Sequence, residues 1–217
     1  MAYEMMNNLD LTIHHPIERS ERRDAAENRQ LLLATASRLF AVHGVEAICM
    51  SEIAKTAGVG KGTLYRRFSS KGELCLALLD CEMRQFQNTI LKSFQEQIEN
   101  GVSTIRRLNW FVEQSVAFTI SHLSLMVEIS QAGGENAVQD INQPHFWLEM
   151  TVKGHLQQMK ANGEIMPETD LDYITTALLA PLDARIMKSH IDNRGYSEEQ
   201  IVKGIQDLIA GLMTAIH

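Results

Sequence analysis

The sequence predicts an all-α protein: a helix-turn-helix unit of three helices, then a helical bundle. Three observations point there. Apolar residues recur at three- and four-residue spacing along most of the chain. No alternating run of strand length occurs, and only 4 Pro and 13 Gly punctuate 217 residues. Hydrophobic residues reach 45% against 22% charged, the balance of a soluble globule with a real core. Aromatic residues are scarce at 6% while Met numbers 11, so that core is aliphatic and adaptable.

Residues 1–23 show no helical period and read as a flexible arm carrying His14-His15-Pro16 and the arginines 19, 22 and 23. From Asp24 a helix is expected, with Leu32, Ala36, Leu39 and Phe40 on one face and Gly44 as its C-cap. Ser51 is read as the N-cap of a short helix through Ala57, with Ile53, Ala54 and Ala57 turned inward. Gly58-Val59-Gly60 makes a tight turn, and a second short helix runs Lys61 to Phe68. Ser70-Lys71-Gly72-Glu73 has the spacing of a capping box, opening a long helix to Asn100-Gly101. Further helices are expected at about 102–122, 123–131, 144–161, 168–190 and 197–216, broken at Gly133-Gly134, Asn162-Gly163 and Asn193-Arg194-Gly195. The last presents Ile201, Ile205, Leu208 and Leu212, with Val202, Ile209, Met213 and Ile216 beside them. That stripe is too wide for one buried side, so the helix is expected to pack on its own domain and on a second copy.

Net charge is -7, which taken alone speaks against a nucleic-acid partner. Its distribution says the opposite. Residues 51–71 hold Lys55, Lys61, Arg66, Arg67 and Lys71 against Glu52 alone, while the remainder of the chain beyond them is acidic. A basic stripe on an acidic body concentrates the field where a polyanion would dock. In that stretch the apolar positions hold two helices at an angle, Lys61, Thr63, Tyr65, Arg66 and the backbone of Gly60 and Gly62 are left facing out, and helix N-termini at Ser51 and Lys71 add backbone N–H groups for phosphate. Lys and hydroxyl groups bond phosphates, glycine admits close backbone approach, and Arg pairs bidentately with guanine O6 and N7. Double-stranded DNA, read by the second helix in the major groove, is the partner this chemistry fits.

The run from Arg29 to Leu79 resembles the TetR/AcrR family of regulators. The residues that carry the likeness are Ala36-Ser37-Arg38-Leu39-Phe40 with His43-Gly44, then Ser51-Glu52-Ile53-Ala54. It continues through Gly58-Val59-Gly60-Lys61-Gly62-Thr63-Leu64-Tyr65-Arg66-Arg67-Phe68 and Ser70-Lys71-Gly72-Glu73-Leu74. Leu178 to Arg185 is similar to the kinked penultimate helix common in that family. The resemblance implies a homodimer through the last two helices (about 168–190 and 197–216) and a bacterial repressor released from a palindromic operator by a small molecule. It also implies that Ser51, Lys61, Thr63, Tyr65 and Lys71 match positions that commonly touch phosphate or base. Arg66 stands where the family more often has His or Asn, which leaves the operator sequence open.

The resulting organisation is an arm at 1–23, a DNA-binding domain at 24–70, and a ligand-binding and dimerisation domain at 71–217. Trp110, Phe111, Phe118, His122, Met126, Phe146, Trp147 and Met150 concentrate the scarce rings and several methionines in the middle of the chain. Helical bundles place cavities between facing helices, so these residues are the expected lining of an apolar pocket for a hydrophobic or amphipathic effector. His122 and Glu128 are its expected polar handles.

Other chemistry finds no support. Gly58-Val59-Gly60-Lys61-Gly62-Thr63 lacks the spacing of a phosphate-binding loop and follows a helix rather than a strand. None of the eight histidines stands three residues after a glutamate, as a helical metal site would need, and no cofactor or metal is expected. No nucleophile motif appears, so no catalysis is expected. Cys49, Cys75 and Cys81 form no CxxC pair, which suits reduced thiols in the cytoplasm. The first eight residues carry neither a basic flank nor an apolar segment, so no secretory leader is expected, and no apolar run approaches the length of a membrane span. Two other readings remain at this point: a carrier or enzyme built on a helical bundle, and a DNA-organising protein without effector.

Overall fold

The structure, a computed structural model, describes residues 16–132 and 144–213. The expected Gly133-Gly134 break, Ile216 and residues 1–15 of the arm lie outside the described residues. Those residues form the helices α1 (Pro16–His43), α2 (Met50–Ala57), α3 (Lys61–Arg67), α4 (Lys71–Glu99), α5 (Thr104–Ser121) and α6 (Leu123–Ala132). They continue with α7 (Pro144–Ala161), α8 (Leu171–Leu179), α9 (Ala184–Asp192) and α10 (Glu198–Gly211). Among the described residues the one β-type pairing is an isolated antiparallel bridge between Ile165 and Met213, which ties the α7–α8 connection to the end of α10.

The local rules account for most boundaries, and depart from expectation in four places. The first helix begins at Pro16 rather than Asp24. Proline suits a first helical position, where its missing N–H has no intrahelical partner to lose. The N-cap of α2 is Cys49, not Ser51, which lies inside the first turn. There Glu52 reaches back to accept the Cys49 N–H at 3.0 Å, so its carboxylate sits below its ordinary range chiefly through that bond. The capping box of α4 is split between two serines: Ser70 Oγ accepts the Glu73 N–H at 3.1 Å, but Glu73 accepts from the N–H of Ser69 rather than Ser70. The expected single helix at 168–190 is two, α8 and α9, separated by a 3-10 turn at Ala180–Leu182 that holds Pro181. Asp183 then restarts the helix by accepting the N–H groups of Arg185 and Ile186.

Two apolar cores result. Leu32, Ala36, Phe40, Ile53, Leu64 and Phe68 form one with Leu74 and Cys75 of α4, holding α1–α3 to the start of α4. The second joins α5, α7, α8, α9 and α10 through Phe111, Val116, Leu156, Met187 and Ile205 among others. On α10 the expected wide stripe divides: Ile201, Ile205 and Ile209 are buried, and Leu208 is 56% exposed.

Candidate DNA interface and effector region

The geometry of α2 and α3 is set by what they bury. Ile53, Ala54, Leu64 and Phe68 are essentially inaccessible, and Gly58 makes the turn between the helices at φ 70°, in the left-handed region that only glycine enters freely. The Gly58 N–H returns to Lys55 O and that of Val59 to Ala54 O, closing α2. With Leu64 and Phe68 fixed inward, α3 presents Lys61, Gly62, Tyr65 and Arg66 to solvent, and Thr63 is half-buried. Tyr65 is 51% exposed, a large ring with half its surface open to solvent.

Two further residues stand at this face. Arg29 of α1 lies over the Phe68 ring at 5.4 Å from its centroid, bracing the end of α3 from outside. Nothing in the local spacing signals that contact, because it joins residues from different helices. Arg67 is half-buried with its Nε–H lacking an acceptor among the described residues. Ser51, half-buried in α2, has its hydroxyl 3.0 Å from Cys49 Sγ.

Lys71 departs from the others. Its ammonium is 3.3 Å from the Glu128 carboxylate on α6, and both side chains are largely covered. The residue expected on phosphate and the one expected as an effector handle are therefore engaged with each other, across the junction of α4 and α6. Next to them Gly72 marks a close approach: a Cβ there would stand 2.2 Å from the Cβ of Ala132. Cys75, one turn further along α4, is buried, and that burial, with Glu128 nearby, pushes its thiol up to about 12.

Five of the eight residues expected around the effector converge. His122 stacks on Phe118 at 4.2 Å between ring centroids, and Phe118 on Phe86 of α4 at 4.6 Å. Trp147 of α7 meets Phe86 at 5.9 Å and Phe111 at 5.6 Å, both edge-on. Phe94 of α4 then meets Phe111 and Trp110, each at 5.7 Å, and the His155 ring at 4.8 Å. This is a continuous chain of rings through the bundle, from His122 near the α1–α3 unit to His155 beyond. Phe86 and Phe94 of α4 and His155 of α7 were missed in the sequence because they lie apart from the stretches where the rings concentrate; only packing brings them into the chain.

Phe146 and Met150 do not join it. They are 42% and 54% exposed on the outer side of α7, displaced from Trp147 by the helical period. Met126 is half-buried on α6 and belongs to neither core. The void that Phe111 borders is small. Bordered also by Leu108, Ser115, Val152, Leu178 and Ile209, among others, it measures about 10 Å³, space for one water. Burial holds His155 below its ordinary pKa, and the positive charge of Arg107 adds to that. Among the described residues no cluster of His, Cys, Asp and Glu could hold a metal ion, and no helix is long and apolar enough to cross a membrane.

Comparison with known proteins bears on this arrangement. Residues 32–78 match the family model for bacterial regulatory proteins of the tetR family. An HTH-type transcriptional regulator of Staphylococcus aureus strain USA300 is 46% identical over 178 residues, 82% of this chain and 90% of that protein. Another, from strain MRSA252, is 30% identical over the same span. Among solved structures, the transcriptional regulator FadR from Bacillus subtilis in complex with stearoyl-CoA superposes with a TM-score of 0.61 at 21% identity, covering 87% of this chain and 99% of that one. A transcriptional regulator from Saccharomonospora viridis in complex with choline gives 0.63 at 20% identity, covering 87% and 98%. At those identities the structures share the fold.

Proposed function

The chain belongs to the tetR family of bacterial regulatory proteins and is a transcriptional regulator; from that premise we propose that it is a cytoplasmic homodimeric repressor, released from a palindromic operator by a hydrophobic or amphipathic ligand. The observation that carries the DNA-binding half is the outward set on α3: Lys61, Gly62, Tyr65 and Arg66 exposed while Leu64 and Phe68 anchor the helix. In this reading residues 24–70 bind DNA and residues 71–217 bind ligand and partner. Lys61, Thr63 and Ser51 hold phosphate, Gly62 lets the strand approach, and Tyr65 and Arg66 read base edges.

A dimer face is available on the last helices. Tyr173, Ala177 and Ala180 are exposed one turn apart on α8 and its continuation, and Gly204, Leu208 and Gly211 repeat the spacing on α10. Small residues flanking one large apolar side chain suit close packing against an identical surface. Two recognition helices would then enter successive major grooves roughly 34–36 Å apart. The stearoyl-CoA and choline complexes of the fold neighbours support a ligand-responsive bundle, and the chain of rings supports an apolar or amphipathic ligand here. The protein acts by binding, with no catalytic step, cofactor or metal in the scheme.

Selection of sheared genomic DNA by the purified protein, beside a Tyr65→Ala/Arg66→Ala variant, tests this. A few palindromic sites are expected, lost in the variant. Arg66 alone accounts for about 1–3 kcal/mol of base discrimination. Diffuse recovery that the variant matches would overturn base reading and favour a DNA-organising protein.

A further inference from the structure

Arg107 is a buried cation to which the described residues bring no carboxylate. It is only 7% exposed on α5, one turn before Phe111 on the same inward stripe. Its guanidinium donates to the Val102 carbonyl, to Thr104 Oγ1 at 3.3 Å and to Gln158 Oε1 at 3.0 Å, all neutral acceptors. Its Nε–H is buried and has no acceptor among the described residues. None of the ion pairs found among those residues includes it.

Such an arrangement is costly, since a buried charge is normally matched by an opposite one. Pinning the α4–α5 loop to α7 needs donors, but it does not need a full positive charge. The position of the charge is informative. Gln158, which accepts from Arg107, lies one turn past His155 on α7, and His155 is the ring that ends the aromatic chain against Phe94, so the unmatched cation stands at one end of that chain. An apolar path closed by a planar, permanently charged fork is the complement of a carboxylate on an apolar body.

We propose that Arg107 is the seat for the carboxylate of an amphipathic effector whose apolar body lies along the ring chain between α4, α5 and α7. This rests on the reading of the chain as a ligand-responsive regulator and names the class of ligand. The carboxylate supplies the missing countercharge. The rings exchange contacts with one another for contacts with the ligand body.

The two tryptophans of the chain, Trp110 and Trp147, both lie in the ring chain, so intrinsic fluorescence reads occupancy without DNA. The probes are sodium decanoate, decanol and decyltrimethylammonium, each titrated below its aggregation concentration. Decanoate is expected to change the fluorescence saturably and to bind about ten-fold or more tightly than the other two, as a charge-assisted bond implies. In Arg107→Met decanoate falls to the affinity of decanol, while decanol itself is unchanged. Arg107→Lys, which keeps the charge, retains part of the preference and decides the matter if the Met variant does not fold. Equal binding of acid and alcohol, a preference that survives in Arg107→Met, or no saturable response to decanoate would each overturn the site. Because the readout needs no operator, failure here leaves the DNA-binding reading standing, and a failed operator selection leaves this result intact.

Discussion

In α2 and α3 the side chains that are buried are Met50, Ile53, Ala54 and Leu64, all apolar. In α5 the buried face carries Thr104, Arg107, Ser115 and Thr119 among Leu108, Phe111, Val112 and Val116. The first region buries apolar side chains and leaves most of its polar groups outside, the Nε–H of Arg67 being the exception. The second takes polar and charged groups into the interior. Thr119 answers its own burial with a bond to the Ser115 carbonyl at 2.8 Å, but Ser115 Oγ and Arg107 Nε have no partner among the described residues. An interior polar group without a partner costs about 1–3 kcal/mol. The comparison teaches where each half carries its polar groups: mostly on the surface of the small unit, and also in the interior of the large one.

The plain interior of the small unit should make it the more easily broken scaffold, and that is the largest effect expected. Leu64 is fully buried between α2, α3 and the start of α4. Leu64→Ala should cost about 2–5 kcal/mol, by lost transfer energy and the cavity left behind. Because both tryptophans lie in the large bundle, urea unfolding of the variant should show helical circular dichroism falling before tryptophan fluorescence changes. Coincident transitions would erase the distinction between the two regions and make them one cooperative unit.

The second prediction concerns the seam where the regions meet. Gly72→Ala would place a Cβ 2.2 Å from that of Ala132, and two methyl groups on helix backbones cannot give way as a flexible side chain can. The expected cost is about 1–3 kcal/mol in thermal or urea unfolding, with α6 pushed off α4. Ala132→Gly in the same chain should restore most of the loss, since the next atom, Glu128 O, stands at an ordinary 3.4 Å. No rescue would mean that the loss does not arise at the contact with Ala132, and no loss in Gly72→Ala that the seam is looser than its geometry.

The difference between the regions also explains what could be read in advance. The small unit was legible because its logic is local: Gly44, Gly58, the Leu64–Phe68 pair and the Ser70–Glu73 spacing each specify a turn, a face or a cap within a few residues. There the slip was local too, with Cys49 taking the cap assigned to Ser51 because Glu52 could reach its N–H. The candidate effector region was legible only in part. Trp110, Phe111, Phe118, His122 and Trp147 do converge, while Phe146 and Met150 turn out to solvent and Glu128 turns to Lys71. Which member of a helical stripe meets a ring on another helix depends on axial offset and crossing angle, and neither is written in the spacing of one helix. Arg107 illustrates this most clearly: in the sequence it is one of two adjacent arginines at the start of a helix, and only the fold shows that Arg106 is exposed and Arg107 enclosed.

The smallest expected effect follows from the same interior. Burial holds His155 neutral, its pKa below the ordinary 6.5; the Arg107 charge works in the same direction and the bond between Nδ1 and Thr151 O opposes it. In the unfolded chain the imidazole takes up its proton as pH falls through about 6.5, while in the fold it does so only at lower pH. The unfolded state then binds more protons, so stability is complete above about pH 6.5 and declines as the pH falls through the folded value. His155→Phe keeps a ring against Phe94 and removes the titration. Its urea midpoint, followed by tryptophan fluorescence, should fall less steeply than that of the unaltered chain between about pH 6.5 and 5, above the range where most carboxylates titrate. Arg107→Met should recover part of that flattening, because it removes one of the two forces holding the ring neutral. If both variants reproduce the original slope, the acid sensitivity of the bundle lies elsewhere, and neither burial nor the charge on α5 governs the protonation of His155.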